Sequence, residues 1–167
     1  MSNHPKWRIH AQLDDVSWFH EIHTSKIIGP DGYHYEPMWI HPSDAAPRGI
    51  KSGDIVNAFN ERGEVLFGAY VTERVMAGVV YADHGARYDP IVVGKIDRGG
   101  SINTLTPHAR TSTKASGGMV TNGFLVEVAV ADLEGLRRDY PDAFARPIDR
   151  ASGLVFERVL AEKENQQ

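Results

Sequence analysis

Through most of the first 130 residues, apolar side chains come in short runs closed off by Gly, Pro, Asn or Asp. That is the spacing of strands rather than of amphipathic helices, and it restricts the chain to a mainly β fold. Strands are predicted at 38–40, 54–60, 64–73, 78–82 and 124–130, with a shorter one at 91–93. The clearest local signal is FNERGEVLF, two strand-like runs joined by Asn60-Glu61-Arg62-Gly63, where the glycine can take a positive φ at a hairpin turn. HPSDAAPRGI reads as a single helical turn, opened by Ser43 or Asp44 as N-cap and closed by Gly49. After Val130 the composition turns charged and helical in two pieces, broken near Pro141 and Pro147, and ends in a polar tail. The expected division is therefore a β domain over 1–130 and a charged, mainly helical extension over 131–167, treated as an appendage.

A chain of 167 residues, 41% hydrophobic, has the length of one domain and material for a core. It has no cysteine, which excludes disulfides, thiolate metal sites and a cysteine nucleophile. The net charge of −4, with scattered lysines and arginines, argues against a nucleic-acid partner. The longest apolar run, VMAGVVYA, is too short to cross a bilayer, and the polar start is no secretory signal. These features favour the cytoplasm for the chain as given and argue against membrane insertion.

Three stretches carry groups suited to binding. DRGGSINTLTP joins Gly99 and Gly100 to Asn103, Thr104 and Thr106. Paired glycines permit close backbone approach, successive N–H groups can cradle an anion, and an amide both donates and accepts. The same residues also make a plain turn between strands. HPKWRIHAQ puts Arg8, His10 and Gln12 at alternate positions, hence on one face of an extended segment, or equally on the outer face of an edge strand. STKASGGMVTNGFLVEV offers Lys114, Thr121 and Asn122 in a glycine-bearing loop that also suits plain solvent exposure. Two further stretches are read as bland. His20, Glu21 and His23 lack the spacing of the HExxH zinc motif and read as surface residues. GYHYEPMWIH reads as a strand with core on one face and surface on the other.

The order of HPKWRIH, then DAAPRGIKSGDIVNAFNERGEVLFGAYVTERVMAGVV, YDP, DRGGSINTLTP and FLVEVAV resembles the C-terminal molybdopterin-dinucleotide-binding domain of the dimethyl sulfoxide reductase family of molybdenum enzymes. The resemblance covers about residues 4–130. It implies a double-psi β-barrel with short helices, related in architecture to aspartate decarboxylase. It also implies molybdopterin guanine dinucleotide as cofactor, the molybdenum or tungsten being carried by the cofactor and its protein ligand lying elsewhere. Family contact positions fall on His10, Gln12, Asn103, Thr104 and Asn122, with Gly99 and Gly100 allowing close approach. Arg8, Thr106 and Lys114 complete the candidate set, and loops 8–12, 99–106 and 114–122 are expected to form one polar concave face.

DGYHYEPMWI and TKASGGMVTN look most like the large subunits of phenolic transhydroxylases and hydroxylases of the pyrogallol or resorcinol type. N-oxide and S-oxide reductases usually show Gly-Gln where this chain has Thr121-Asn122. Family enzymes are several times longer, so the resemblance implies either a fragment or a separate small subunit that is not catalytic alone. Its partners would be the remaining domains or large subunit, with an iron–sulfur subunit among the candidates. A pyruvoyl-type decarboxylase cleaved at Gly100-Ser101 and a cofactor-free interaction domain are the other readings.

Overall fold

The computed structural model describes residues 2–3, 10–13, 16–20, 22, 25–107 and 123–148. In chain order its elements are β1 (Ser2–Asn3), α1 (Ser17–His20), β2 (Ile27–Ile28), β3 (His34–Tyr35), β4 (Pro37–Ile40), α2 (Pro42–Ala45), β5 (Ile55–Phe59), β6 (Glu64–Val71), β7 (Tyr81–Asp83), β8 (Pro90–Val92), β9 (Ile96–Asp97), β10 (Glu127–Val130), α3 (Leu133–Asp139) and α4 (Pro141–Phe144). Single 3-10 turns occupy Ala11–Leu13, Ala46–Arg48 and Ile102–Thr104. The fold is mainly β, as expected.

Eight strands form one sheet in the order β1-β7-β4-β6-β5-β10, with β9 added beside β6 and β8 beside β9. β2 and β3 form a separate hairpin. β6 is the hub: it runs antiparallel to β5 and parallel to both β4 and β9. The pairings among the described residues do not close the sheet into a barrel.

β6 also explains where the core sits. Its side chains alternate, so Val65, Phe67 and Ala69 join Met38, Ile40, Val56 and Leu105 in one apolar cluster, while Leu66 joins Tyr33, Tyr35 and Ile55 in a second. A strand buried on both faces needs cover on both sides. The second side is covered by Ile27 of β2 and by Ala131, Leu133, Leu136 and Ile148, so residues 131–148 are packed onto the sheet rather than hung from it. Gly68 marks the closest approach: a Cβ there would lie 2.4 Å from the Cβ of Ile27.

Several local expectations change. The 60–63 turn forms, with Asn60 Oδ1 accepting from Arg62 N at 2.9 Å, but Gly63 does not take a positive φ. It is needed for space, since a Cβ would come 2.7 Å from both the Lys95 carbonyl and the Thr104 methyl. The helical turn at 42–45 is capped by His41, whose Nδ1 accepts from Ser43 N at 3.2 Å, and Gly49 closes the following turn at φ 66°. β7 starts at Tyr81 rather than 78 because Met76 to Val79 form a turn around Gly78, at φ 78°. β10 starts at Glu127 rather than 124 because its partner β5 ends at Phe59, and the Asn60 amide takes the Leu125 carbonyl instead. Tyr33 to Met38 are buried on both faces, so the half-exposed strand expected there is not what forms. The buried Glu36 is met by the Lys26 ammonium.

Candidate functional site

β9 pairs with β6 so that Asp97 lies beside Val65, out of contact with solvent. Its Oδ1 accepts from Asp89 N at 2.8 Å and its Oδ2 from Ser101 N at 2.7 Å. Burial pushes the carboxyl up to about 6, against the pull of backbone donors from Ser101, Asp89 and Gly99. The Gly-Gly loop therefore does form an anion cradle, and the anion in it is the protein's own Asp97.

The two glycines are likewise committed to the protein. A Cβ on Gly99 would fall 1.9 Å from the Arg87 carbonyl, and one on Gly100, at φ 89°, would fall 2.4 Å from Glu36 Cγ. With its backbone fixed, the loop enters the 3-10 turn at Ile102–Thr104. Leu105 is buried, and its carbonyl accepts from Asn60 Nδ2 at 3.0 Å and Arg62 Nη1 at 3.4 Å. Thr106 is buried and donates its hydroxyl to the Asn103 carbonyl at 3.1 Å. Thr104 is half-buried, with its methyl beside Gly63. Asn103 alone among the polar side chains of this turn is exposed.

The first segment reaches the same neighbourhood. His10 is exposed, its Nδ1 lies 3.2 Å from His84 Nε2, and its backbone packs against Gly85. Gly85 takes φ 88° and would bring a Cβ within 2.9 Å of His10 Cα. One residue on, Ala86 touches the Gly100 position at 3.4 Å, so the stretch 84–87 seats both the first segment and the Gly-Gly loop. Gln12 falls in the Ala11–Leu13 3-10 turn, so His10 and Gln12 do not alternate along an extended segment as expected. Arg8, Lys114, Thr121 and Asn122 lie outside the described residues, as do Glu21 and His23. His84, Gly85 and Arg87 were missed by sequence reasoning; the signal was a glycine between a histidine and a cation directly ahead of YDP.

Asn103, His10, His84 and the exposed Arg87 provide an amide, two imidazoles and a cation, a donor set that fits heterocycle edges and anionic oxygens. A cavity of about 390 Å³ bordered by Ile102 and Leu105 is walled mainly by apolar residues, among them Met38, Phe67, Ala82 and Val126, with Asp44 and Arg48 also lining it. Among the described residues no group of three or more His, Asp or Glu could hold a metal ion.

Comparisons with known proteins bear on the family. Residues 1–122 match the family described as Molydopterin dinucleotide binding domain. The chain is 40% identical over 131 residues to the pyrogallol hydroxytransferase large subunit of Pelobacter acidigallici, covering 77% of this chain and 15% of that protein. It is 42% identical over 118 residues to the trimethylamine-N-oxide reductase of Haemophilus influenzae, covering 68% and 13% respectively. It is 38% identical over 120 residues to the dimethyl sulfoxide/trimethylamine N-oxide reductase of Cereibacter sphaeroides, covering 70% and 14%. Among solved structures, acetylene hydratase from Pelobacter acetylenicus matches at a TM-score of 0.30 and 20% identity, over 32% of this chain and 7% of that one. The chain thus spans 13–15% of the length of the curated relatives it matches. With the family profile covering most of the sheet and the Gly-Gly loop, the chain belongs to the molybdopterin dinucleotide binding domains of the dimethyl sulfoxide reductase family of molybdenum enzymes, whose cofactor is molybdopterin guanine dinucleotide.

Proposed function

We propose that this chain supplies one wall of a molybdopterin guanine dinucleotide site in a molybdenum or tungsten oxidoreductase or hydroxylase, and is not catalytic alone. One observation carries the reading: Asn103 is held out to solvent on a turn whose neighbours Leu105 and Thr106 are buried and hydrogen-bonded. A carboxamide so held can pair with a donor and an acceptor on one heterocycle edge. His10 and Arg87 serve anionic oxygens; Gln12, Thr104, Arg8, Lys114 and Asn122 complete the proposed contacts. When bound, the cofactor supplies the metal through its dithiolene sulfurs. What this chain contributes is orientation and exclusion of water from its side of the site.

The double-psi barrel belongs to the same proposal, supported by the parallel pairings of β6 with β4 and β9. So do the remaining domains of a longer enzyme, supported by the share of the relatives that this chain spans. Action on phenolic aromatics is supported by the pyrogallol hydroxytransferase match, and reduction of N-oxides or S-oxides by the reductase matches. Gly100-Ser101, the bond on which a pyruvoyl reading rests, is accounted for as part of the loop that Asp97 holds.

The test is Asn103→Ala in the assembled enzyme. Losing the amide partner of a buried heterocycle edge costs about 1–3 kcal/mol, so metal and guanine nucleotide released per protein on denaturation should fall. The melting temperature of the isolated chain should stay put, since Asn103 is exposed. Unchanged occupancy with a lower melting temperature would make Asn103 a turn residue only.

A further inference from the structure

Arg98 directly precedes the Gly-Gly loop, and its side chain is 1% exposed. Its guanidinium carbon lies 4.3 Å from the centre of the Tyr33 ring and 5.1 Å from that of Phe144. Its Nε and Nη2 donate to Asp89 Oδ2 at 3.4 and 3.2 Å. The other oxygen of Asp89 accepts from Arg146 Nη2 at 2.6 Å. Arg146 is in turn tied to the end of α4, its Nε donating to the Ala143 carbonyl at 3.2 Å. The Asp89 backbone closes the circuit, donating its N–H to Asp97 and accepting from Arg98 N at 2.9 Å. One buried carboxylate thus joins the segment after α3 to the loop that presents Asn103.

The family profile ends at residue 122, well short of Phe144 and Arg146. We infer that residues 131–148 act as a strut for the Gly-Gly loop, with Arg146 and Phe144 as positioning residues that fix the loop through Asp89 and Arg98. Its relevance to the cofactor rests on the reading of Asn103 given above. The arrangement has a built-in asymmetry. Removing Arg146, whose side chain is 30% exposed, leaves the Arg98–Asp89 pair intact, so the loop loosens without stranding a buried charge. Removing Arg98 would leave Asp89 its contact with Arg146 but would empty a fully buried site against the Tyr33 and Phe144 rings and endanger the fold, which makes Arg146 the informative position.

The experiment is amide hydrogen exchange followed by mass spectrometry on the full chain, comparing wild type with Arg146→Ala, Arg146→Lys, Phe144→Leu and Glu134→Gln. Glu134 is an exposed residue of α3 and serves as the control. In Arg146→Ala and Phe144→Leu, exchange across residues 97–106 should rise at least tenfold while β5 and β6 stay protected. Arg146→Lys should restore slow exchange, and Glu134→Gln should match wild type. Wild-type exchange at 97–106 in both Arg146→Ala and Phe144→Leu overturns the strut. So does opening of β5 and β6 together with the loop, which would show general destabilisation instead. Cofactor retention by the assembled Arg146→Ala enzyme then separates the two ideas. Faster exchange with cofactor loss supports both; faster exchange with full retention keeps the strut and sinks the assignment of this loop to the cofactor.

Discussion

Asp97 carries its carboxylate where water does not reach it, and that has a measurable sign. Burial raises its pKa from 3.8 to about 6, so between those values the folded chain holds a proton that the unfolded chain has released. The resulting stabilisation is complete below about pH 4 and lost as pH rises through about 6, and two pKa units correspond to roughly 3 kcal/mol. Asp89, Arg98 and Arg146 surround the site and temper that figure. In Asp97→Asn a backbone donor facing the new amide nitrogen loses its acceptor at every pH, about 1–3 kcal/mol, but the pH-dependent part disappears. The stability difference between variant and wild type should therefore shift toward the variant by about 1–3 kcal/mol between pH 4 and pH 7, read from urea melts across that range. Parallel profiles would show that Asp97 does not titrate there. The sequence placed Asp97 at the head of a glycine pair but said nothing of its role, because a glycine shows that something approaches closely without showing what. At Gly99 and Gly100 the answer is Arg87 and Glu36, partners set by the fold and not by the neighbouring letters.

Among the elements, the β5–β6 hairpin was the most legible, since its turn residues and its short apolar runs are contiguous in the chain. The double burial of β6 was not, because an apolar residue reads the same whether it faces one cluster or another. Its consequence is energetic. Phe67 is fully buried in the larger cluster, and Phe67→Ala should cost roughly 3–5 kcal/mol in urea unfolding. Glu127→Gln removes an ion pair with Arg48 in which both side chains are substantially exposed, 56% and 40%, and should cost under about 1 kcal/mol. Equal costs would mean that the sheet depends on its surface charges and not on the cluster beneath it. The cap at His41 escaped the sequence for a different reason: an imidazole replaced the usual hydroxyl or carboxylate, and its use depends on ring orientation.

For the molecule as a whole, α3 begins at Leu133, just past the change in composition at Val130, and composition did not show that residues 131–148 are packed. Leu133, Leu136 and Ile148 cover the second cluster, and Phe144 and Arg146 close the Asp89–Arg98 network. A chain ending at Val130 should melt roughly 10 °C or more lower, as expected when several kcal/mol of apolar cover are removed. An unchanged melting temperature would restore the extension to an appendage. The parallel partners of β6 carry a further consequence, for how the chain reaches this state. β5 meets β6 across the Asn60–Gly63 turn, whereas β4 and β9 reach it only after long excursions of chain, which makes their pairing slow relative to the hairpin. Until they arrive, the early hairpin presents an unpaired edge along β6 and two bare apolar faces. During synthesis, Glu64 to Val71 is therefore the segment at which wrong association between neighbouring chains would begin, and the first a chaperone would need to shield.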